Sequence, residues 1–246
     1  MPADNTPDFL DRVRVVLMRT THPGNIGATA RAMKTMGLSR LVLVQPASFP
    51  DPVADARASG AQDVLENAQV VATLSEALQG TVLSAALTAR RRELSLEPVT
   101  AREAAPELLR HARVGEVALV FGTEASGLSN EEVALCGLPV SIPANPAYSS
   151  LNLAAAVQLL CYEMRLAALD GAVLQSSPPE EVARFEEVEG FHAHLEQAMR
   201  ESGFYHPDSS RRLLPRLRRL FGRVRLERDE INILRGILAA LQRKPD

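Results

Sequence analysis

The chain has no tryptophan, and seven Phe with three Tyr make up only 4% of its 246 residues. Stacking on aromatic platforms is therefore not expected to dominate contact with a nucleic acid. Cysteine is almost absent. Cys136 and Cys161 cannot build a disulfide framework or a zinc site, which points to a reducing, cytoplasmic setting. His192 and His194 are two positions apart, a spacing that separates them on a helix, so no metal is expected. No apolar run reaches the length of a membrane span. The opening Met1-Pro-Ala-Asp-Asn also lacks the basic start and apolar stretch of a signal peptide. An excess of positive charge is missing too: 27 Lys and Arg against 30 Asp and Glu give −3. That balance argues against a general nucleic-acid binder, and DNA is not expected as a partner.

What the chain has is apolar residues, 46% of the total, enough for a sizeable core, and a local concentration of arginine. Between positions 211 and 228 eight arginines stand against one acid, Glu227. Arg212, Arg216, Arg219 and Arg223 recur there at helical spacing beside Leu213, Leu217, Leu220 and Val224. This reads as an amphipathic helix with a basic face suited to a polyanion.

Buried strand-like runs at 13–18, 41–44, 69–71, 82–87, 117–121 and 138–142 alternate with helical patterns at 26–36, 53–58, 75–79, 101–113 and 130–135. Such alternation implies an α/β domain with a mainly parallel sheet. A helix from about 152 to 170 closes it, and Gly171 is a natural stop. The expected organisation is an extension (1–11), the α/β domain (12–171), a Ser/Pro linker (172–179) and a small helical module (180–246). Within the module, residues 180–201 read as an acidic helix with Val182, Phe185, Val188, Phe191 and Leu195 on its apolar side.

Three segments carry more than a fold needs. His22-Pro-Gly-Asn-Ile-Gly-Ala-Thr-Ala-Arg31 follows a strand and opens a helix. Gly24 and Gly27 permit a tight turn or the close approach of a ligand, and Asn25 and Arg31 lie where a helix start and a cation can hold phosphate. Gly122-Thr-Glu-Ala-Ser-Gly-Leu128 ends a strand, and Ser129 with Glu132 has capping-box spacing for the next helix. In Ile142-Pro-Ala-Asn-Pro-Ala-Tyr-Ser-Ser-Leu-Asn-Leu153, two prolines hold the chain extended before Ser149, Ser150 and Asn152, which have capping chemistry at a helix start. Tyr148 could reach a target nucleotide, but a loop tyrosine alone earns no assignment.

In this order and spacing, the three segments resemble the SpoU/TrmH branch of the SPOUT methyltransferases. The resemblance covers about residues 12–170. It implies a trefoil-knotted sheet, a homodimer, and transfer of a methyl group from S-adenosyl-L-methionine to a ribose 2′-hydroxyl of RNA. The first motif and the helical tail are most similar to enzymes that act on tRNA, at cytidine or uridine 32 of the anticodon loop. Carried over by position, the cofactor would be held by backbone of Leu87, Thr88, Ala89, Gly122, Ile142, Ser149, Ser150 and Leu151. Asn25, Arg31, Glu124, Ser150 and Asn152 would be the catalytic set. A guanidinium keeps its charge, so Arg31 is better cast as a clamp on phosphate and developing oxyanion than as a base. Asn25 would orient Arg31 or the RNA backbone, Glu124 would pair with an arginine of its own or the partner subunit, and Ser150 and Asn152 would steer Arg31 and the ribose. Arg90, Arg91 and Arg92 beside the cofactor loop, with Arg212, Arg216 and Arg219 in the tail, are the candidate RNA contacts. Three other readings remain open. One is the same chemistry on ribosomal RNA or another tRNA position. Another is a non-catalytic RNA-binding protein. The last is a dinucleotide oxidoreductase, for which the full glycine fingerprint and its acidic partner are missing.

Overall fold

The computed structural model describes residues 8–89, 96–170, 177, 179–208 and 211–243. Seven strands form one parallel sheet: β1 (Val13–Met18), β2 (Arg40–Val44), β3 (Gln69–Val71), β4 (Thr81–Leu87), β5 (Val99–Thr100), β6 (Glu116–Phe121) and β7 (Leu138–Ser141). Their spatial order is β3-β2-β1-β6-β4-β7-β5. Six were expected from buried runs; β5, two residues long, leaves no periodic signal.

The alternation within each strand divides the core. Val13, Val15 and Leu17 of β1, with Val117, Leu119 and Phe121 of β6, face one side. There they meet α1 (Pro23–Met36), α2 (Pro52–Ala58), α3 (Gln62–Glu66), α5 (Ala101–Ala112) and α7 (Leu153–Leu169). Val16, Met18, Ala118 and Val120 face the other side, under the short helices α4 (Leu74–Leu78) and α6 (Asn130–Leu135). Both faces are covered, which is why the strands read as unbroken apolar runs. Helix α3 escapes a sequence reading because its N-cap, Ala61, makes no side-chain cap bond and it is barely one turn long.

The amino end departs from the expected extension. Residues Asp8–Arg12 form a 3-10 helix, and Leu10 is 1% exposed in the main core. Arg12 donates to the carbonyls of Ala112 and Arg113 at the carboxyl end of α5, at 3.4 and 2.9 Å. These residues belong to the α/β unit.

The tail holds α8 (Phe185–Glu201), α9 (Leu213–Gly222) and α10 (Arg228–Gln242). Helix α8 begins later than the expected 180. Glu181 has φ +46, and Val182 forms a bridge with Glu227, so the chain turns before the helix can start. The Arg184 N–H then donates to Glu187 at 2.7 Å, securing the first turn. Ala183, Phe191 and Ile231 are the buried centre of the tail, and Phe221 meets Phe191 edge-on at 4.8 Å. That contact rotates α9 away from the expected stripe: Leu220 and Val224 are exposed, while Arg218, Arg219 and Phe221 line a cavity of about 320 Å³ against β4 and α5. The tail is tied to the sheet by Arg225 with Glu107 of α5, and by Gly80 N–H donating to Glu186 at 3.0 Å.

Candidate active site

Strands β6, β4 and β7 are neighbours in the sheet, so the loops leaving their carboxyl ends emerge side by side. Ligands of open parallel sheets bind at such an edge. Leu87, Gly122 and Ile142, widely separated in sequence, stand at these three exits. Leu87 ends β4 opposite Val140. Thr88 is buried, and its N–H is already donated to the Val140 carbonyl at 2.8 Å. Ala89 is exposed. Ser149, Ser150 and Leu151 are exposed too, and they make no hydrogen bond to the rest of the described chain. Their backbone groups are free to hold a ligand, which is the chemistry expected of a cofactor bound by loops.

The glycines have a different reason from the one expected. A Cβ on Gly122 would lie 2.1 Å from the Gly127 carbonyl carbon and 2.2 Å from the Leu128 nitrogen. The loop after β6 folds back onto its own start, so close approach at Gly122 is by the chain itself. Gly27 lets α1 press on α2, since its Cβ would fall 2.0 Å from the Ala54 carbonyl oxygen. Gly24 sits under the His22 ring, whose Nδ1 accepts the Gly24 N–H at 3.1 Å and caps α1.

One hydrogen-bond chain joins the three segments. Glu124, after β6, accepts from the N–H of Thr21 (3.1 Å), the N–H of His22 (3.2 Å), the Thr21 hydroxyl (3.1 Å) and the Asn25 side-chain amide (3.0 Å). Asn152 donates its amide to Asn25 Oδ1 at 3.0 Å. Its own Oδ1 caps α7, accepting from the N–H groups of Ala154 (3.0 Å) and Ala155 (3.3 Å). The direction of the chain is forced. A carboxylate can only accept and helix-start amides can only donate, so each Asn must present its NH₂ toward Glu124 and its oxygen toward α7. Partial burial pushes the Glu124 carboxyl up, but the hydrogen bonds from Asn25, its own N–H, Thr21 and His22 outweigh it and hold the group below the usual carboxylate range.

Three expected roles change. Within this chain Glu124 pairs with the start of α1, and no arginine meets it among the described residues. The donors at that helix start are taken by Glu124 and His22, so they do not form a phosphate cradle. Asn152 alone caps α7, without Ser149 or Ser150, and it grips Asn25 rather than Arg31. Arg31 itself is exposed, and its guanidinium has no hydrogen bond or ion pair among the described residues. Thr21 and His22 were missed by sequence reading, because backbone donors carry no signature in side-chain type.

The tail arginines divide. Arg218 holds Glu189 (2.8 Å), Arg228 holds Glu187 (2.9 Å), Arg225 holds Glu107, and Arg219 turns inward with its Nε buried. Arg211, Arg212, Arg216 and Arg223 are exposed, as are the paired Arg225 and Arg228. Arg90, Arg91 and Arg92 lie outside the described residues.

Residues 12–162 match the SpoU rRNA Methylase family. The chain belongs to this family. Residues 186–246 match the C-terminal domain of the tRNA methyltransferase TrmJ, so both parts of the SpoU chain have matching relatives. It is 49% identical to the tRNA (cytidine/uridine/adenosine-2′-O-)-methyltransferase TrmJ of Pseudomonas aeruginosa (strain UCBPP-PA14), covering 96% of this chain and 95% of that protein. Identity to the tRNA (cytidine/uridine-2′-O-)-methyltransferase TrmJ of Pectobacterium atrosepticum is 47%, over 97% and 100%. The crystal structure of TrmJ from Z. mobilis ZM4 superposes with a TM-score of 0.82 at 35% identity, covering 94% of this chain and 99% of that one. In this SpoU chain the later strands lie between earlier ones, β6 between β1 and β4 and β7 between β4 and β5, an order that strand periodicity could not express.

Proposed function

We propose that this SpoU-family chain transfers a methyl group from S-adenosyl-L-methionine to the 2′-hydroxyl of a tRNA ribose, at cytidine or uridine 32 of the anticodon loop. The observation that carries the reading is the chain Glu124–Asn25–Asn152, which locks the three loop-bearing segments into one edge. The methyl donor supplies an electrophilic carbon. The protein positions the acceptor oxygen, and such positioning accounts for a large part of the rate of group transfer. Loop backbone at Ala89, Ile142, Ser149, Ser150 and Leu151 would hold the donor. Arg31, exposed and uncommitted on α1, would grip the phosphate beside the acceptor ribose and stabilise charge growing on its oxygen. Glu124, Asn25 and Asn152 act through the loops they fix and are positioning residues.

The working unit in this reading is a cytoplasmic homodimer, with the trefoil knot that family membership implies. Ala155, Leu159, Tyr162, Leu166 and Leu169 lie exposed along α7 at alternating spacings of four and three. That pattern is a seam for a second helix, and a second copy supplies one by symmetry. Arg211, Arg212, Arg216 and Arg223, all exposed, would bind tRNA backbone away from the chemistry. The test is mapping of 2′-O-methylation in tRNA from cells with and without the gene, followed by methylation of the same tRNA by the purified protein. Loss and restoration of a methyl group at nucleotide 32 is expected. A change at another tRNA position, or only in ribosomal RNA, would overturn the proposed target.

A further inference from the structure

We infer that Tyr148 is the platform on which the base of the acceptor nucleotide stacks. This inference rests on the proposed reading of RNA ribose as acceptor. Tyr148 is 78% exposed, and its hydroxyl has no hydrogen-bond partner among the described residues. The other two tyrosines are used by the protein: Tyr205 is buried beneath the Arg200 guanidinium, 5.4 Å from its ring centre, and Tyr162 belongs to the α7 stripe. Tyr148 contributes nothing comparable to folding.

Its backbone, by contrast, is firmly set. The Tyr148 N–H donates to the Asn145 carbonyl at 2.9 Å, and the Ala147 N–H donates to Asn145 Oδ1 at 3.0 Å. Pro146 fixes the first corner of this turn, and an Asx bond closes it from within. The ring is thus presented on a preformed turn, with little order left to lose on binding. The turn lies at the carboxyl edge of the sheet, six residues past Ile142 and four before Asn152. Four extended residues span at most about 14 Å. Arg31 lies six residues along α1 from Asn25, about 9 Å of helix rise. The segments that carry Tyr148 and Arg31 are thus joined at the Asn25–Asn152 hydrogen bond.

A ribose whose 2′-oxygen approaches the donor must bring its base out of the loop's own stack, and a flat aromatic face compensates for that loss. Stacking tolerates different bases because each has a π face. The two relatives named above differ in this respect: one name includes adenosine with cytidine and uridine, the other only the pyrimidines.

The test uses the full-length protein and a tRNA transcript with the fluorescent analogue pyrrolo-cytidine at the nucleotide the wild type methylates. Tyr148→Ala and Tyr148→Phe are compared with wild type. The alanine variant is expected to weaken RNA half-saturation by roughly tenfold to a hundredfold, the range for removing one stacked aromatic, and to abolish the fluorescence quench on binding. Affinity for S-adenosylhomocysteine should not change, and Tyr148→Phe should restore both RNA readouts. Wild-type RNA affinity and quench in Tyr148→Ala would overturn the inference. So would loss of the dimer in that variant, which would place the ring in a subunit interface, or a phenylalanine variant as weak as alanine, which would assign the effect to the hydroxyl. Failure of the wild type to methylate tRNA would instead remove the underlying acceptor assignment, and this inference with it.

Discussion

Asn152→Asp separates the two things Asn152 does. The native side chain caps α7 with its oxygen and donates its amide to Asn25. Aspartate caps a helix as well as asparagine does, and its charge gains about 0.3–1 kcal/mol at a helix start. It cannot donate, so a hydrogen bond worth about 0.5–1.5 kcal/mol is lost, and two oxygens are left facing each other. Asn25 cannot rotate its amide to escape, because its oxygen would then meet Glu124. These opposing terms leave stability within about 1 kcal/mol of wild type, a Tm change of about 2–4 °C for a chain of this size. Activity should fall much further, about a hundredfold, as expected when loops that place reactants move by about an ångström. Asn152→Ala loses the cap as well and should melt lower by about 1 kcal/mol, with a similar loss of activity. Differential scanning calorimetry and single-turnover methylation at saturating tRNA measure the two effects. An Asn152→Asp protein with full single-turnover rate would show that the link to Asn25 positions nothing.

Arg31→Ala and Arg31→Lys should fold, dimerise and bind S-adenosylmethionine, yet lose most single-turnover methylation, because lysine keeps the charge without the planar fork; full activity in the lysine variant would refute the two-pronged clamp. Changing Arg212, Arg216 and Arg223 together to glutamine should flatten the slope of log affinity for tRNA against log salt by about 2, while Arg219→Gln, facing inward, should leave it nearly unchanged; equal slopes for the triple variant and wild type would detach the patch from RNA. Burial, aided by repulsion from Arg218, pushes the His192 imidazole down to about 4. The unfolded chain takes up a proton near pH 6.5, so stability of the tail is complete above that value and declines as pH falls toward 4, by at most about 3 kcal/mol. Hydrogen exchange in α8 and α9 at pH 7 and 5 reads this directly, and a tail equally protected at both would contradict it.

The sheet was legible because strands buried on both faces are written as unbroken apolar runs, and its helices because caps such as Thr100 with Glu103 and Ser129 with Glu132 are spelled out locally. Asn25, Glu124 and Asn152, three of the candidate site residues, come together in one hydrogen-bond chain, but the partners of each could not be read. Glu124 has no sequence sign that says its acceptors will be filled by backbone N–H groups 102 and 103 positions away. Gly122 reads the same whether a ligand or its own loop presses on it. In the tail, three of the eight arginines, Arg218, Arg225 and Arg228, hold Glu189, Glu107 and Glu187, and a fourth, Arg219, has its Nε buried. Charge patterning counts cations but does not say which already have anions.

Helix α7 begins at the hydrogen-bond chain and carries the exposed apolar seam along its length. A straight helix of seventeen residues behaves as a single lever about 25 Å long, so a tilt imposed at the seam is felt at Asn152. Whatever covers the seam therefore shares a free energy with whatever occupies the loops, and by linkage the coupling runs equally in both directions. Binding of the methyl donor should tighten association through α7 by the same factor by which association tightens the donor.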